Sequence, residues 1–457
     1  MKGLIQTIRN IFAIEELRKR IILTLGLIVI YRLGSYVVLP GVNPEMLEAY
    51  SNRASQGLFG LINMFAGGAF SRASIFSLGI MPYISASIVI QLLGIAVPYF
   101  QKLQKEGESG RQKINQLTRV LTIAITAVQA AGFLINLRSQ VPGALAFNTG
   151  VMSQFMFMFT NIVILTTGTM FVMWLGEKIT DRGLGNGISL IIMIGIIARL
   201  PHALIGELES RMSEAGGGMV VFLLELVSLL LVVIAVVALV QGTRRIPVQY
   251  AKRVVGNKQY GGVRQFLPLK INAAGVMPII FAQALMFIPA TVGQFFPASS
   301  SWQGVAGALQ DHMSLLYNIV FSALIILFTY FYTAVTINPT QIADDLKRNG
   351  GFIPGIKPGK KTAEYIDTIM SRITLPGAVF LSFVAIFPAI AGIMKVNSQF
   401  AQFYGGTSLL ILVGVVLDTL QQIESHLLMR HYDGLMKSGR IKGRSSLSGA
   451  MTTTTAM

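Results

Sequence analysis

No cysteine occurs among the 457 residues, and histidine occurs only four times. The missing cysteine excludes disulfide frameworks, thiolate zinc sites and cysteine nucleophiles, and it leaves the compartment open. With so few, scattered histidines, neither a metal site nor a cofactor is expected. Charge is also scarce. Charged residues make up 12% of the chain, against about a quarter in an ordinary soluble domain. Hydrophobic residues make up 53% and the mean hydropathy is +0.63, so the solvent of this chain is largely lipid. Acidic residues are the scarcer kind: 20 Asp+Glu against 37 Lys+Arg leave a formal charge of +17. Such an excess is either a nucleic-acid footprint or the loop bias that orients membrane helices, and the positions of the charges decide between them.

Small residues that would make a cleavage site are missing between the mixed-charge arm 1–20 and Pro40. The apolar run behind the arm is therefore expected to stay as a first membrane helix. Apolar windows long enough to cross the hydrocarbon core recur about ten times. They fall at 21–39, 76–99, 120–136, 155–175, 187–200, 219–240, 271–295, 315–337, 373–394 and 407–428. The fifth is the shortest, with Gly195 inside it and Pro201 just beyond. Ten spans put both termini on one side, and the basic residues agree. Thirty of the 37 lie in the arm 1–20, the loops 101–119, 176–183, 241–270 and 338–372, and the tail 429–457. The alternate loops hold only Arg53, Arg72, Arg138, Arg199, Arg211 and Lys395. That asymmetry places both termini in the cytoplasm.

The fold class expected is an all-α integral membrane protein with about ten transmembrane helices in two inverted five-helix halves, 21–200 and 219–428. The segment 57–74 (GLFGLINMFAGGAFSRAS) is apolar but too broken by glycine and Asn63 to span. Two readings remain open for it: an interfacial loop, or a stretch packed inside protein or lining a water-filled cavity at membrane depth. The tail beyond 445 is Ser/Thr-rich and reads as disordered.

Several features look like chemistry without being it. Gly355-Ile-Lys-Pro-Gly-Lys-Lys-Thr362 has three residues between its glycines and follows no expected strand, so nucleotide binding is not expected. Gly183-Leu-Gly-Asn-Gly187 reads as a flexible entry to the fifth span. Arg32, Glu225, Asp418 and Glu424 lie near span ends, where snorkelling accounts for them. No carboxylate pair suited to acid–base work and no proton-relay chain is visible, which weakens an enzyme or an ion-coupled transporter. The loop 241–270 carries seven basic residues, no acid, and Tyr250, Tyr260 and Phe266 among them. It is an anion-seeking surface of hairpin length, with Gly256-Asn257 and Gly261-Gly262 as turn candidates, unless it records only topology. The loop 338–372 is equally long and rich in Pro and Gly, as suits a protruding docking element.

At these residues the chain resembles the SecY family, the channel subunits of the bacterial Sec protein translocon. The segments that carry the resemblance are 79–94 (GIMPYISASIVIQLLG), 183–189 (GLGNGIS), 244–253 (RRIPVQYAKR), 267–278 (LPLKINAAGVMP), 337–359 (INPTQIADDLKRNGGFIPGIKPG) and 404–411 (YGGTSLLI). They run in order along nearly the whole chain. The resemblance implies a clamshell around a water-filled hourglass, pinched by an apolar ring at Ile80, Ile84, Ile188, Ile192, Ile280 and Ile411. It also implies a plug at 57–74, including Gly60, Asn63, Phe65, Gly67 and Gly68, and a lateral gate whose polar cluster is Ser85, Gln129 and Asn272. Docking of ribosomes and of the SecA motor ATPase is implied at Arg244, Arg245, Lys252, Arg253, Lys258 and Lys357. Lys357 stands where the family usually has arginine, keeping the charge and losing the planar fork; Asn257-Lys258 stands where many members carry a basic pair.

The function implied is that of the central pore-forming subunit of a protein-conducting channel in a bacterial plasma membrane, not an enzyme. It would pass unfolded preproteins across and release signal sequences and membrane helices sideways into lipid. The implied partners are the small membrane subunits SecE and SecG, SecA, the ribosome, YidC and SecDF. A small-solute secondary transporter with inverted repeats is the alternative, against which stand an apolar midplane and long basic loops.

Overall fold

The computed structural model describes residues 14–43, 47, 63–140, 153–212, 218–250, 253–255, 258–260, 264–293, 314–394 and 396–437. Gly60, Lys252, Asn257, the plug residues 57–62, most of the arm and the tail beyond 437 lie outside the described residues.

The first half holds α1 (Glu15–Gly34), α2 (Met81–Ala96), α3 (Pro98–Lys105), α4 (Glu108–Gln140), α5 (Gln154–Arg182) and α6 (Gly187–Met212). In the second half are α7 (Gly218–Gln241), α8 (Met277–Gly293), α9 (Leu315–Thr336), α10 (Pro339–Arg348), α11 (Lys360–Ile393), the short α12 (Ser398–Ala401) and α13 (Gly406–Lys437). Among the described residues seven helices are long and apolar enough to cross a membrane, and the bent pair α2–α3 makes an eighth. The charged first turns of α1 and the 17-residue length of α8 keep those two outside that test, and with them every one of the ten apolar windows holds a helix.

Four windows are corrected in their bounds. The second, expected over 76–99, begins at Met81 and ends at Ala96; Val97 is extended (φ −111°, ψ 120°), as the residue before proline prefers, and the chain turns by 101° into α3. The fifth runs through Pro201 to Met212 instead of stopping at 200, so one lost backbone hydrogen bond does not outweigh the packing of the helix around it. The seventh starts at Met277, after a turn at 271–276. The ninth starts at Lys360, where the ordered helix extends beyond the lipid-facing run.

The two halves repeat one packing order. In the first, α2 packs on α4, α4 on α5 and α5 on α6; in the second, α8 packs on α9, α9 on α11 and α11 on α13. The halves meet along two seams, α6 against α7 and α13, and α2 against α8. One large apolar cluster draws side chains from both.

The basic loops add a small sheet to this all-α fold. Strands β1 (Thr243–Tyr250), β2 (Arg253–Val255), β3 (Lys258–Tyr260), β4 (Arg264–Lys270) and β5 (Gly351–Phe352) form two antiparallel groups, β4-β1-β5 and β2-β3. In β1 the alternation of buried Ile246 and Val248 with exposed Arg245 and Pro247 is the period of two of a half-buried strand. Tyr250 pairs with Gly351. Ile246, Val248 and Leu269 join Leu346, Ile353, Ile366 and Met370 in a separate core. The loops 241–270 and 338–372 are therefore one folded knob, rather than two independent protrusions.

Candidate functional site

Of the six expected ring residues, Ile80, Ile84, Ile192 and Ile411 are 3%, 8%, 3% and 3% exposed and belong to the large apolar cluster that runs through both halves. Ile188 of α6 and Ile280 of α8 are half-buried and pack against it. Met64 and Phe65 of the segment 57–74 belong to the same cluster. Asn63, Ala69, Ala73 and Ser74 are fully buried. The described part of that segment is thus packed inside protein, and the interfacial-loop reading does not apply to it.

Local chemistry explains its tight path. The Asn63 carbonyl accepts from Gly68 N at 2.7 Å, and its side-chain Oδ1 accepts from Ser71 N at 3.0 Å. Gly67 and Gly68 have φ of +61° and +85°, a region that glycine enters without penalty. Gly67 also lies against Gly195 of α6: a Cβ on Gly195 would run into the Phe65 carbonyl oxygen, and one on Gly67 would stand 3.1 Å from Gly195 Cα. The segment leaves through a root in which Leu39 N donates to Ala73 O and Ile75 N donates to Val37 O, both at 2.9 Å.

The expected gate residues are placed but not joined. Ser85 Oγ donates to Met81 O of its own helix at 3.2 Å. Gln129 is half-buried on α4. Asn272 is 7% exposed in the turn before α8, and its Oδ1 has no hydrogen-bond partner. The α2–α8 seam exists, but no hydrogen bond links the three residues across it, so a preformed polar cluster is not what closes it. Among the expected docking residues, Arg244 and Arg245 are exposed on β1 and Lys357 is exposed just before α11; Arg253 and Lys258 lie on the hairpin β2-β3.

Two arginine sites escaped the sequence reading. Arg32, taken there as snorkelling, donates from Nη1 to Gly67 O at 3.1 Å, and Arg72 Nη2 donates to the same oxygen at 3.0 Å. Both guanidiniums lie by the Tyr36 ring, Arg72 at 4.2 Å and Arg32 at 5.6 Å from its centroid. Glu225, also taken as a span-end charge, is 6% exposed and bonded through Oε1 to Arg211 Nη2 at 2.5 Å. Arg211 Nε reaches Glu207 Oε1 at 2.7 Å, Glu207 Oε2 accepts from Asn397 N at 2.8 Å, and Tyr404 Oη donates to Glu225 O at 2.7 Å. This triad ties the end of α6 to α7 and to the residues before α13. The four-residue spacing of Glu207 and Arg211 was the available signal; nothing local points to Glu225 as their partner.

Two helical halves that share one apolar cluster, with the broken segment 63–74 packed against it, define an all-α integral membrane protein. The SecY family model matches residues 74–420. The protein translocase subunit SecY of Chlamydia muridarum is 42% identical over 455 residues, covering 96% of this chain and 99% of that one. Its counterparts in Streptomyces scabiei and Mycobacterium bovis are 44% and 43% identical over 93% and 92% of this chain and 98% and 97% of theirs. A solved protein-conducting channel superposes with a TM-score of 0.62 at 19% identity, covering 89% of this chain and 92% of that one. A structure described by its plug domain stabilising the closed state gives 0.61 at 18%, with the same coverage of both chains. Sec61 in a canine ribosome–channel complex gives 0.58 at 17%, again over 89% and 92%. The chain belongs to the SecY family.

Proposed function

We propose that the chain is the central pore-forming subunit of a protein-conducting channel, translocating unfolded secretory proteins and releasing membrane helices sideways into lipid. One observation supports this reading beyond the family itself: the six isoleucines, with Met64 and Phe65 of the buried segment, lie in or against one apolar cluster that draws on both halves. An extended chain in transit carries unpaired N–H and C=O groups, each costing several kcal/mol in hydrocarbon, so it needs an aqueous path. An open aqueous path would leak ions. Branched apolar side chains around a narrow neck dewet it when empty and close around any polypeptide, because they recognise no particular sequence. The segment 57–74 then acts as the plug, and the α2–α8 seam as the lateral gate.

The chain itself supplies no energy source, so a bound motor, chain elongation or the membrane potential drives transport. With the basic side cytoplasmic and the membrane a bacterial plasma membrane, the knob built on β1 and α10 presents Arg244, Arg245 and Lys357 to the phosphate-rich ribosome and to SecA. SecE and SecG complete the membrane complex, and YidC and SecDF act beside it. The small-solute transporter is disfavoured, because an apolar cluster stands at the neck where such a protein needs a polar site. The test is reconstitution with the small subunits, SecA and ATP. A secretory precursor is expected to become protease-protected in an ATP-dependent manner, and its full digestion beside a competent motor refutes the channel.

A further inference from the structure

We infer that Arg32 and Arg72 form a releasable clasp on the plug, converging on the backbone oxygen of Gly67 and reaching the wall again at Ser35, and so set the ease with which the channel opens. The inference rests on the plug reading above. Arg32 belongs to the wall helix α1, whereas Arg72 belongs to the segment that moves; Gly67 O accepts from both. Arg72 is fastened a second time, from Nε to Ser35 O at 3.3 Å, and Tyr36 lies beneath both guanidiniums. The wall therefore grips the plug at two points, Arg32 on the Gly67 carbonyl and the Ser35 carbonyl on Arg72, and Gly67 adjoins Ala66 of the large apolar cluster.

The geometry on either side of the clasp suits a swinging element. The root at 73–75 is bonded to 37–39 and stays with the wall. At the edge of the root, next to Arg72 of the clasp, stands Ala73, with φ +45° the one non-glycine residue of positive φ among those described. A strained residue there favours a second backbone state once the clasp lets go. The clasp itself is graded. Two cations share one neutral acceptor, and among the described residues neither has a carboxylate within ion-pair distance. Their mutual repulsion opposes the two charge-assisted bonds, leaving a hold that is directional yet weaker than an ion pair. The position of the Gly67 oxygen depends on a left-handed backbone that a side chain would strain, which ties the glycine to the same task.

The experiment measures ion conductance through the idle channel, reconstituted with its small subunits in planar bilayers. Arg32→Gln and Arg72→Gln are each expected to raise the open fraction about tenfold, the double variant further, with the thermal midpoint of the complex unchanged. Arg72→Lys keeps a cation for the oxygen and restores part of the closure, which a merely structural role would not predict. Should the Gln variants fail to assemble, Tyr36→Ala removes the ring beneath both guanidiniums and is expected to leak in the same direction. Deletion of 63–72 separates the possible failures. A leak on deletion with none in the arginine and Tyr36 variants overturns the clasp and leaves the plug; no leak on deletion overturns both.

Discussion

Two arginine sites hold this fold together away from its basic loops, and they are built in opposite ways. At the triad one guanidinium serves two carboxylates, with Glu207 0%, Arg211 8% and Glu225 6% exposed. At the segment proposed as plug two half-buried guanidiniums serve two backbone carbonyls, those of Gly67 and Ser35, and an aromatic ring. A buried charge that loses its partner is stranded in a poor solvent, whereas a half-exposed guanidinium that loses a carbonyl turns to water. The first arrangement fixes the joint where the first half passes into the second. The second is one from which a segment can be withdrawn. The same residue type thus yields a rivet in one place and a catch in the other, according to burial and to the charge opposite.

The sharpest way to break this contrast is Arg211→Ala. Two buried carboxylates would then face each other without a cation, and a loss of about 3–5 kcal/mol is expected. It should appear as a large fall in the unfolding midpoint of the detergent-solubilised complex. Glu225→Gln keeps a hydrogen-bonding side chain and one ion pair, and is expected to lose much less. A midpoint for Arg211→Ala equal to that of the parent would show that the triad is not a rivet.

Next in size is Gly195→Ala. The added methyl meets the Phe65 carbonyl oxygen, and overpacking of this kind costs about 1–3 kcal/mol. If the plug withdraws while α6 stays, as the clasp proposal requires, the strain is expected as a raised idle conductance with little change in the unfolding midpoint. A lowered midpoint without leak would mean that the plug is as fixed as the triad, and the contrast would fail.

How much of this was legible beforehand follows the range of the interactions. The ten helices were readable because lipid imposes a length and composition on each window separately; only their ends, at Pro98, Pro201, Met277 and Lys360, depended on packing or turns beyond the window. The six isoleucines were named from family resemblance alone, since an isoleucine in an apolar helix carries no local mark of facing a neck. Arg32 and Glu225 were visible as charges and misread, because their partners lie on other segments: Gly67 is 35 residues from Arg32, and Arg211, on the preceding helix, is 14 from Glu225. The pairing between the two basic loops was not visible for the same reason, since it joins Tyr250 to Gly351.

A third setting sharpens the comparison. Arg244 and Arg245 are exposed on β1 with no acid in 241–270, and charges so placed contribute only about 0–1 kcal/mol to the fold. Arg244→Glu with Arg245→Glu is therefore expected to leave both unfolding midpoint and idle conductance unchanged. Ribosome and SecA binding should weaken, with a gap from the parent that closes as salt is raised. Equal binding at low salt would remove the knob from the docking surface.

The smallest effect is expected at Asn272, where the polar group is neutral and has no partner at Oδ1. A buried acceptor left unpaired costs about 1–3 kcal/mol in the state that buries it. Opening the α2–α8 seam to water or to a passing peptide would satisfy it, so in the closed state Asn272 works against closure. Across-seam hydrogen bonds, worth about 0.6 kcal/mol on average, are not formed by Ser85 or Gln129 to offset this. Asn272→Leu is accordingly expected to tighten the gate and to raise, by a small margin, the signal-sequence hydrophobicity needed for export. A graded signal series read by precursor processing measures the shift. An unchanged threshold would place the unpaired oxygen outside the gate, and a lowered one would mean that Asn272 holds the seam shut through bonds that this structure does not show.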